Sequence, residues 1–171
     1  MLTNYVQTDN ITIHELGCNV GYNLDYLHDA LSKKGYSNIT YTGNDCWDEA
    51  IELGTTLYPS IEYEEMTTRE FIVDAVKKDR RIDIVYSRAH LMHLPEETLD
   101  YLYPLIKQCR FAKFYETWDV CSDLHVLELE ERGNHCPSKF EFKTENIRHS
   151  LKYGKNRDIY ADARLVSTII N

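Results

Sequence analysis

Short apolar runs alternate with stretches of helical period through the first two-thirds of the chain. Residues 11–16 (ITIHEL) read as a strand. Residues 23–34 read as a helix, because Leu24, Leu27, His28 and Leu31 recur on one face, and Gly35 stops it. The pattern then repeats. A second strand covers 39–44 and ends at Asp45. A helix follows over 48–57, with Asp48 as its N-cap and Pro59 closing it. Residues 61–66 form a third strand, and 68–78 a third helix capped by Thr67 or Thr68, with Phe71, Ile72, Ala75 and Val76 inward. A fourth strand, 82–87, precedes a helix that Pro95 opens and that runs to about Cys109, with Leu99, Leu102, Tyr103 and Ile106 inward. Residues 111–117 make a fifth strand. The last third is less regular. Residues 121–131 read as helical or extended, and 140–142 as a short strand or loop. Residues 144–153 read as a helix capped by Thr144 and ended by Gly154. The β-branched run 163–170 reads as a terminal strand. Strands alternating with single helices predict a doubly wound α/β sheet, mostly parallel, with an antiparallel C-terminal strand.

With 171 residues, one domain spanning 1–171 is expected, large enough to bury a core without staples. Hydrophobic residues make up 43% and charged residues 27%, which excludes a disordered chain. The net charge of −9 argues against a nucleic-acid binder, whose affinity needs a basic face. No run approaches the ~18 apolar residues of a membrane span, and residues 1–10 lack the pattern of a signal peptide. Cys18, Cys46, Cys109, Cys121 and Cys136 are odd in number and irregularly spaced. They are read as reduced thiols in a cytoplasmic protein.

The chemistry concentrates where strands hand over to helices. Gly17 and Gly21 flank the first such turn, where small residues let backbone N–H groups approach a ligand, and Glu15 closes the strand before it. Asp45 ends the second strand 24 residues beyond Gly21, close to the place where doubly wound folds hold ribose hydroxyls. A polar cluster, Ser87-Arg88-Ala89-His90, ends the fourth strand. The spacing G-x-x-x-G lacks the third glycine of the dinucleotide fingerprint, which counts against an NAD-type oxidoreductase. Cys121, His125, His135 and Cys136 lack the paired spacing of a zinc site, so no metal is expected, and Glu128, Glu130 and Glu131 read as a solvated face.

In sequence, Glu15-Leu16-Gly17-Cys18-Asn19-Val20-Gly21 resembles motif I of the class I S-adenosylmethionine-dependent methyltransferases. Residues 41–45 (YTGND) are similar to that family's second strand with its acidic end. Residues 82–95 (IDIVYSRAHLMHLP) are similar to its fourth-strand segment, and Phe114-Tyr115-Glu116 to its fifth strand. The wording ELGCNVGYNL is similar to small methyltransferases of bacterial surface-sugar clusters. The resemblance implies a Rossmann-like fold, with residues 10–120 as the cofactor-binding core and 120–171 as a cap and C-terminal strands. Its cofactor would be S-adenosylmethionine, held by Glu15, Gly17, Cys18, Asn19, Gly21 and Asn23 of the first turn. Asp45 would hold the ribose, with Cys46 and Trp47 near the adenine. Met66 and Thr67 occupy the adenine edge, where the family often carries Asp. Ser87 and Arg88 would meet the methionine side, and His93 a structural hydrogen bond.

The reaction implied is methyl transfer to a small-molecule or sugar acceptor. His90 and Glu116 are the catalytic candidates, and Arg88, His90 and Trp118 the substrate contacts. No NPPY-type tetrapeptide follows the fourth strand, which disfavours an amino-group nucleic-acid methylase. Two alternatives stand beside this reading: a non-catalytic cofactor-binding scaffold subunit and, further off, the NAD-type enzyme. Homodimerisation is common among such small domains.

Overall fold

The computed structural model describes residues 7, 9–120, 143–152 and 158–169. In chain order the elements are β1 (Ile11–Leu16), α1 (Tyr22–Ser32), β2 (Ile39–Asp45), α2 (Asp48–Leu57), β3 (Ile61–Glu65) and α3 (Thr68–Lys77). Then come β4 (Arg81–Arg88), a 3-10 turn (Leu91–His93), α4 (Glu96–Ile106), β5 (Arg110–Val120), β6 (Lys143–Lys152) and β7 (Asp158–Ile169). The sheet order is β3-β2-β1-β4-β5-β7-β6. Strands β1 to β5 run parallel, so their carboxyl ends lie along one edge, on either side of the crossing point between β1 and β4. In the described residues β7 pairs antiparallel with β5, and β6 antiparallel with β7.

Side-chain alternation divides the core into two layers. On one face Ile11, Ile13, Tyr41, Ile84 and Tyr86 pack with Leu24 of α1. On the other, Leu16, Val85 and Phe114 pack with Phe71 and Ile72 of α3 and with Leu99, Leu102 and Ile106 of α4. Each such side chain, taken fully from water, contributes about 1.5–3 kcal/mol, which is why two helices cover each face of the parallel strands.

Helix α3 starts as its sequence dictates. The Thr67 hydroxyl accepts from Glu70 N at 3.2 Å, Thr67 N donates to Glu70 Oε2 at 2.8 Å, and the two close a capping box. At α2 the N-cap is Trp47 rather than Asp48, and Asp48 sits in the first turn, where its charge favours the helix dipole. Helix α4 ends at Ile106, short of Cys109, and Val76 is only partly buried. One expectation is overturned. Residues 144–153 are not a helix, because Lys143–Lys152 is strand β6, paired with β7 from Lys143↔Ser167 to Lys152↔Asp158. A polar stretch with weak propensity either way takes the conformation that a neighbouring strand makes available. The expectations for 121–131 and 140–142, and Cys121, His125, His135 and Cys136, lie outside the described residues. Among the described residues no helix is long and apolar enough to cross a membrane.

Candidate cofactor site

The β1–α1 turn uses left-handed backbone at Gly17 (φ +67°), Asn19 (φ +51°) and Gly21 (φ +86°). Asn19 tolerates that region because its Oδ1 accepts from Val20 N at 2.8 Å. Glycine is required at 21 for space as well as angle, since a Cβ there would overlap the Tyr63 hydroxyl. That hydroxyl donates to Val20 O at 2.9 Å, and a Cβ on Gly54 of α2 would come 2.7 Å from the same carbonyl. Tyr63 and Gly54 thus fix the turn from below. Sequence reasoning missed both; the signal was a glycine inside an otherwise regular helix.

Asp45 joins β2 to this turn. Its Oδ2 accepts from Asn19 N at 2.9 Å and its Oδ1 from Trp47 N at 3.0 Å. Beside it opens a pocket of about 260 Å³ lined by Gly17, Asn44, Asp45, Cys46, Thr68 and His90, among others. The His90 ring lies directly on Gly17, where a Cβ would overlap it. His90 Nε2 sits 2.8 Å from Thr68 Oγ1, and burial lowers the imidazole pKa, with nearby Asp45 opposing the shift.

On the β1–β4 side, Glu15 is fully buried. Its Oε1 accepts from Asn23 Nδ2 at 2.7 Å, and Asn23 Oδ1 accepts from Arg88 Nη1 at 2.8 Å. Glu15 Oε2 and the Tyr86 hydroxyl beside it are buried without a well-formed hydrogen bond, and the Ser87 hydroxyl is buried with no partner among the described residues. Burial pushes the Glu15 carboxyl up to about 8, against the pull of Asn23, the neighbouring Tyr86 hydroxyl and Arg88. Burial and the adjacent Glu15 push the Tyr86 hydroxyl up as well.

Behind the pocket wall, His14 is enclosed between β1, β2 and α3. Its ring stacks on Phe71 at 3.8 Å. Asn44 Nδ2 donates to Met66 O at 3.0 Å, so Asn44 Oδ1 can only accept, and His14 Nε2 donates to it at 3.0 Å. His14 Nδ1 then takes the Thr42 hydroxyl at 2.7 Å. Burial lowers its pKa to about 4, so the ring is neutral at physiological pH.

The structure therefore brings together Glu15, Gly17, Asn19, Gly21, Asn23, Asp45, Ser87, Arg88 and His90. Cys18 is buried against Gly43, Cys46 is exposed and lines the pocket, and Trp47 is exposed. Met66 contributes its carbonyl to Asn44 and its side chain to the core. The Thr67 hydroxyl donates to Glu70 Oε2 at 2.7 Å within the capping box. His93 is exposed. Glu116 is fully buried, and its Oε2 accepts from the Tyr103 hydroxyl of α4 at 2.8 Å. Trp118 lies on β5. Among the described residues no three His, Cys, Asp or Glu side chains are grouped to hold a metal.

No protein-family model matches the chain, and no curated protein does. Solved structures do. The methyltransferase domain of bacterial CtHen1 superposes with a TM-score of 0.60 at 14% identity, over 92% of this chain and 89% of that one. A TehB-like SAM-dependent methyltransferase from Corynebacterium glutamicum gives 0.56 at 17% identity, over 93% and 81%. LepI, solved in complex with SAM, gives 0.65 at 9% identity over 98% of this chain, which spans only 45% of LepI. The chain has the fold of the class I S-adenosylmethionine-dependent methyltransferases.

Proposed function

We propose that the chain binds S-adenosylmethionine and transfers its methyl group to a small-molecule acceptor, sugars included. The observation that carries this reading is Asp45, whose carboxylate is tied to the glycine turn at the mouth of the pocket. A ribose diol donates two hydrogen bonds, and a carboxylate fixed by backbone amides accepts them without reordering. The other end of the site fits the same cofactor. Glu15 offers a carboxyl oxygen without a well-formed hydrogen bond and Arg88 a guanidinium, the two bridged by Asn23, a pairing complementary to the ammonium and carboxylate of an amino acid. A nicotinamide dinucleotide has no such head group.

When bound, the cofactor supplies a methyl already activated by positive sulfur. The protein's part is alignment and exclusion of water. Asp45 and the Gly17–Gly21 turn orient the nucleoside, while Glu15 and Arg88 anchor the far end. His90 lines the pocket beside Asp45 and is our candidate to take a proton from an acceptor hydroxyl. Glu116, the second candidate base, faces the α4 side of the sheet and its hydrogen bond to Tyr103 suits a buried structural role. The charge of −9 favours a neutral or cationic small acceptor over nucleic acid.

Isothermal titration tests the reading. S-adenosylmethionine and S-adenosylhomocysteine should bind and NAD should not, and Asp45→Ala should weaken both by about tenfold or more, as loss of a charge-assisted hydrogen bond requires. Unchanged affinity in Asp45→Ala removes the ribose assignment. Binding with no methyl transfer to any acceptor pool leaves a cofactor-binding scaffold.

A further inference from the structure

Helix α1 has an asparagine in its first turn whose side chain does not cap it. The N-cap is Gly21, which offers the helix no side-chain hydrogen bond. Asn23, two residues on, is of a type that favours capping the backbone, yet its amide is spent on two other side chains. Nδ2 donates to Glu15 Oε1 of β1 at 2.7 Å, and Oδ1 accepts from Arg88 Nη1 of β4 at 2.8 Å. The amide can sit only this way round. A guanidinium has no acceptor, so the atom 2.8 Å from Nη1 must be the carbonyl oxygen, and the amino group then faces the carboxyl. Glu15 Oε1 therefore takes its hydrogen bond from a neutral amide, although a guanidinium stands on the far side of it. A carboxylate and a guanidinium in direct contact form a bidentate pair, which would use the two groups on each other. Tyr86, Cys18 and Asp45 are the other titratable groups around the carboxyl, and none of them is a cation.

We propose that Asn23 is a positioning residue for the amino-acid end of the cofactor: its amide keeps Glu15 and Arg88 from pairing with each other, so that an ammonium on the ligand meets the carboxyl and a carboxylate on the ligand meets the guanidinium. The proposal rests on the cofactor reading above, and it gives the site its preference for a nucleoside that carries an amino acid over one that does not. The side chain at 23 must both accept and donate. An aspartate there would accept from Arg88 but could not donate to Glu15 as a carboxylate, and a leucine would do neither. The buried carboxyl is the sensitive partner. Its Oε2 lacks a well-formed hydrogen bond, so Glu15 gains by closing on a cation, and Arg88 stands one amide away.

Calorimetry on the full chain tests this with two ligands, S-adenosylhomocysteine and methylthioadenosine, which keeps the nucleoside and the sulfur but has no amino acid. The wild type should bind the first about tenfold more tightly or better, the worth of a charge-assisted contact. Asn23→Leu, close in shape to asparagine, should lose about tenfold in that ratio while its affinity for methylthioadenosine changes by less than about twofold. A merely structural asparagine would weaken both ligands alike, so a ratio that stays at its wild-type value overturns the proposal. So does a wild type that binds the two ligands equally. Carbon-13 NMR of the Glu15 carboxyl, assigned by comparison with Glu15→Gln, supplies a readout that needs no ligand. Asn23→Ala opens room for Arg88 to close on the carboxyl, so Glu15 should ionise about one pH unit or more below where the wild type does. Loss of a donor alone would move it the other way, and a rise or no change overturns the proposal. Asn23→Ala also serves for calorimetry should the leucine variant fail to fold. If the wild type binds neither ligand, the cofactor reading fails, and the carboxyl titration still decides the role of Asn23.

Discussion

Glu15 carries an energetic conflict that the ligand should resolve. Its carboxyl is ordinarily ionised above about 4.5, but burial holds it protonated up to about 8 in the folded chain. A raised carboxyl pKa gives stability that is complete below the unfolded value and lost as pH rises through the folded one. Apo stability should therefore fall between about pH 4.5 and 8, and Glu15→Gln should be the more stable protein at pH 8 in urea titrations while binding S-adenosylhomocysteine more weakly. Equal stability of the two at pH 8 would show that the carboxyl is not strained. An ammonium group from the cofactor would ionise Glu15, so binding near pH 7 should release a proton, visible as a dependence of the calorimetric heat on the buffer. Tyr63 supplies a second test at this scale. Removing its hydroxyl in Tyr63→Phe leaves Val20 O without that donor and should cost about 1 kcal/mol, with looser cofactor binding read by calorimetry. Glu15, Gly17, Gly21 and Asp45 were legible in the sequence because their types and spacing have a direct chemical meaning. Tyr63 and Gly54 were not, because their partner is a backbone carbonyl far away in sequence.

At the scale of elements, local rules account for most boundaries. Thr67, Glu70 and the apolar stripe of α3 specify where that helix begins and which face it buries. Thr67→Ala should lose about 1 kcal/mol of stability, and melting followed by circular dichroism should register it as a drop of a few degrees. The same rules failed for residues 143–152. Nothing in that polar run distinguishes a helix from a strand until β7 lies alongside it. Asp48 likewise has the composition of an N-cap but sits one residue inside, because Asp45 already receives the Trp47 amide and sets the turn.

For the molecule as a whole, the pairing of β1 with both β2 and β4 creates the site, and His14 sits at that junction. Its folded pKa of about 4 lies below the ordinary 6.5, so the unfolded chain binds the extra proton first as pH falls. Stability from this group is full above about pH 6.5 and is lost towards pH 4, by up to about 3 kcal/mol. His14→Gln should flatten the pH dependence of unfolding across that window, and an unchanged slope would assign the acid sensitivity elsewhere. On its own, the sequence determined the order of strands and helices through residue 120, the two-faced apolar pattern and the identity of the turn residues, since these depend on neighbours a few positions apart. Only the tertiary structure decided that Asp45 ties down the Asn19 amide, that Thr68 reaches His90, that His14 is locked between Thr42, Asn44 and Phe71, and that Glu116 turns towards α4. Each of those depends on which strands lie side by side, and chain connectivity alone does not fix a contact between residues tens of positions apart.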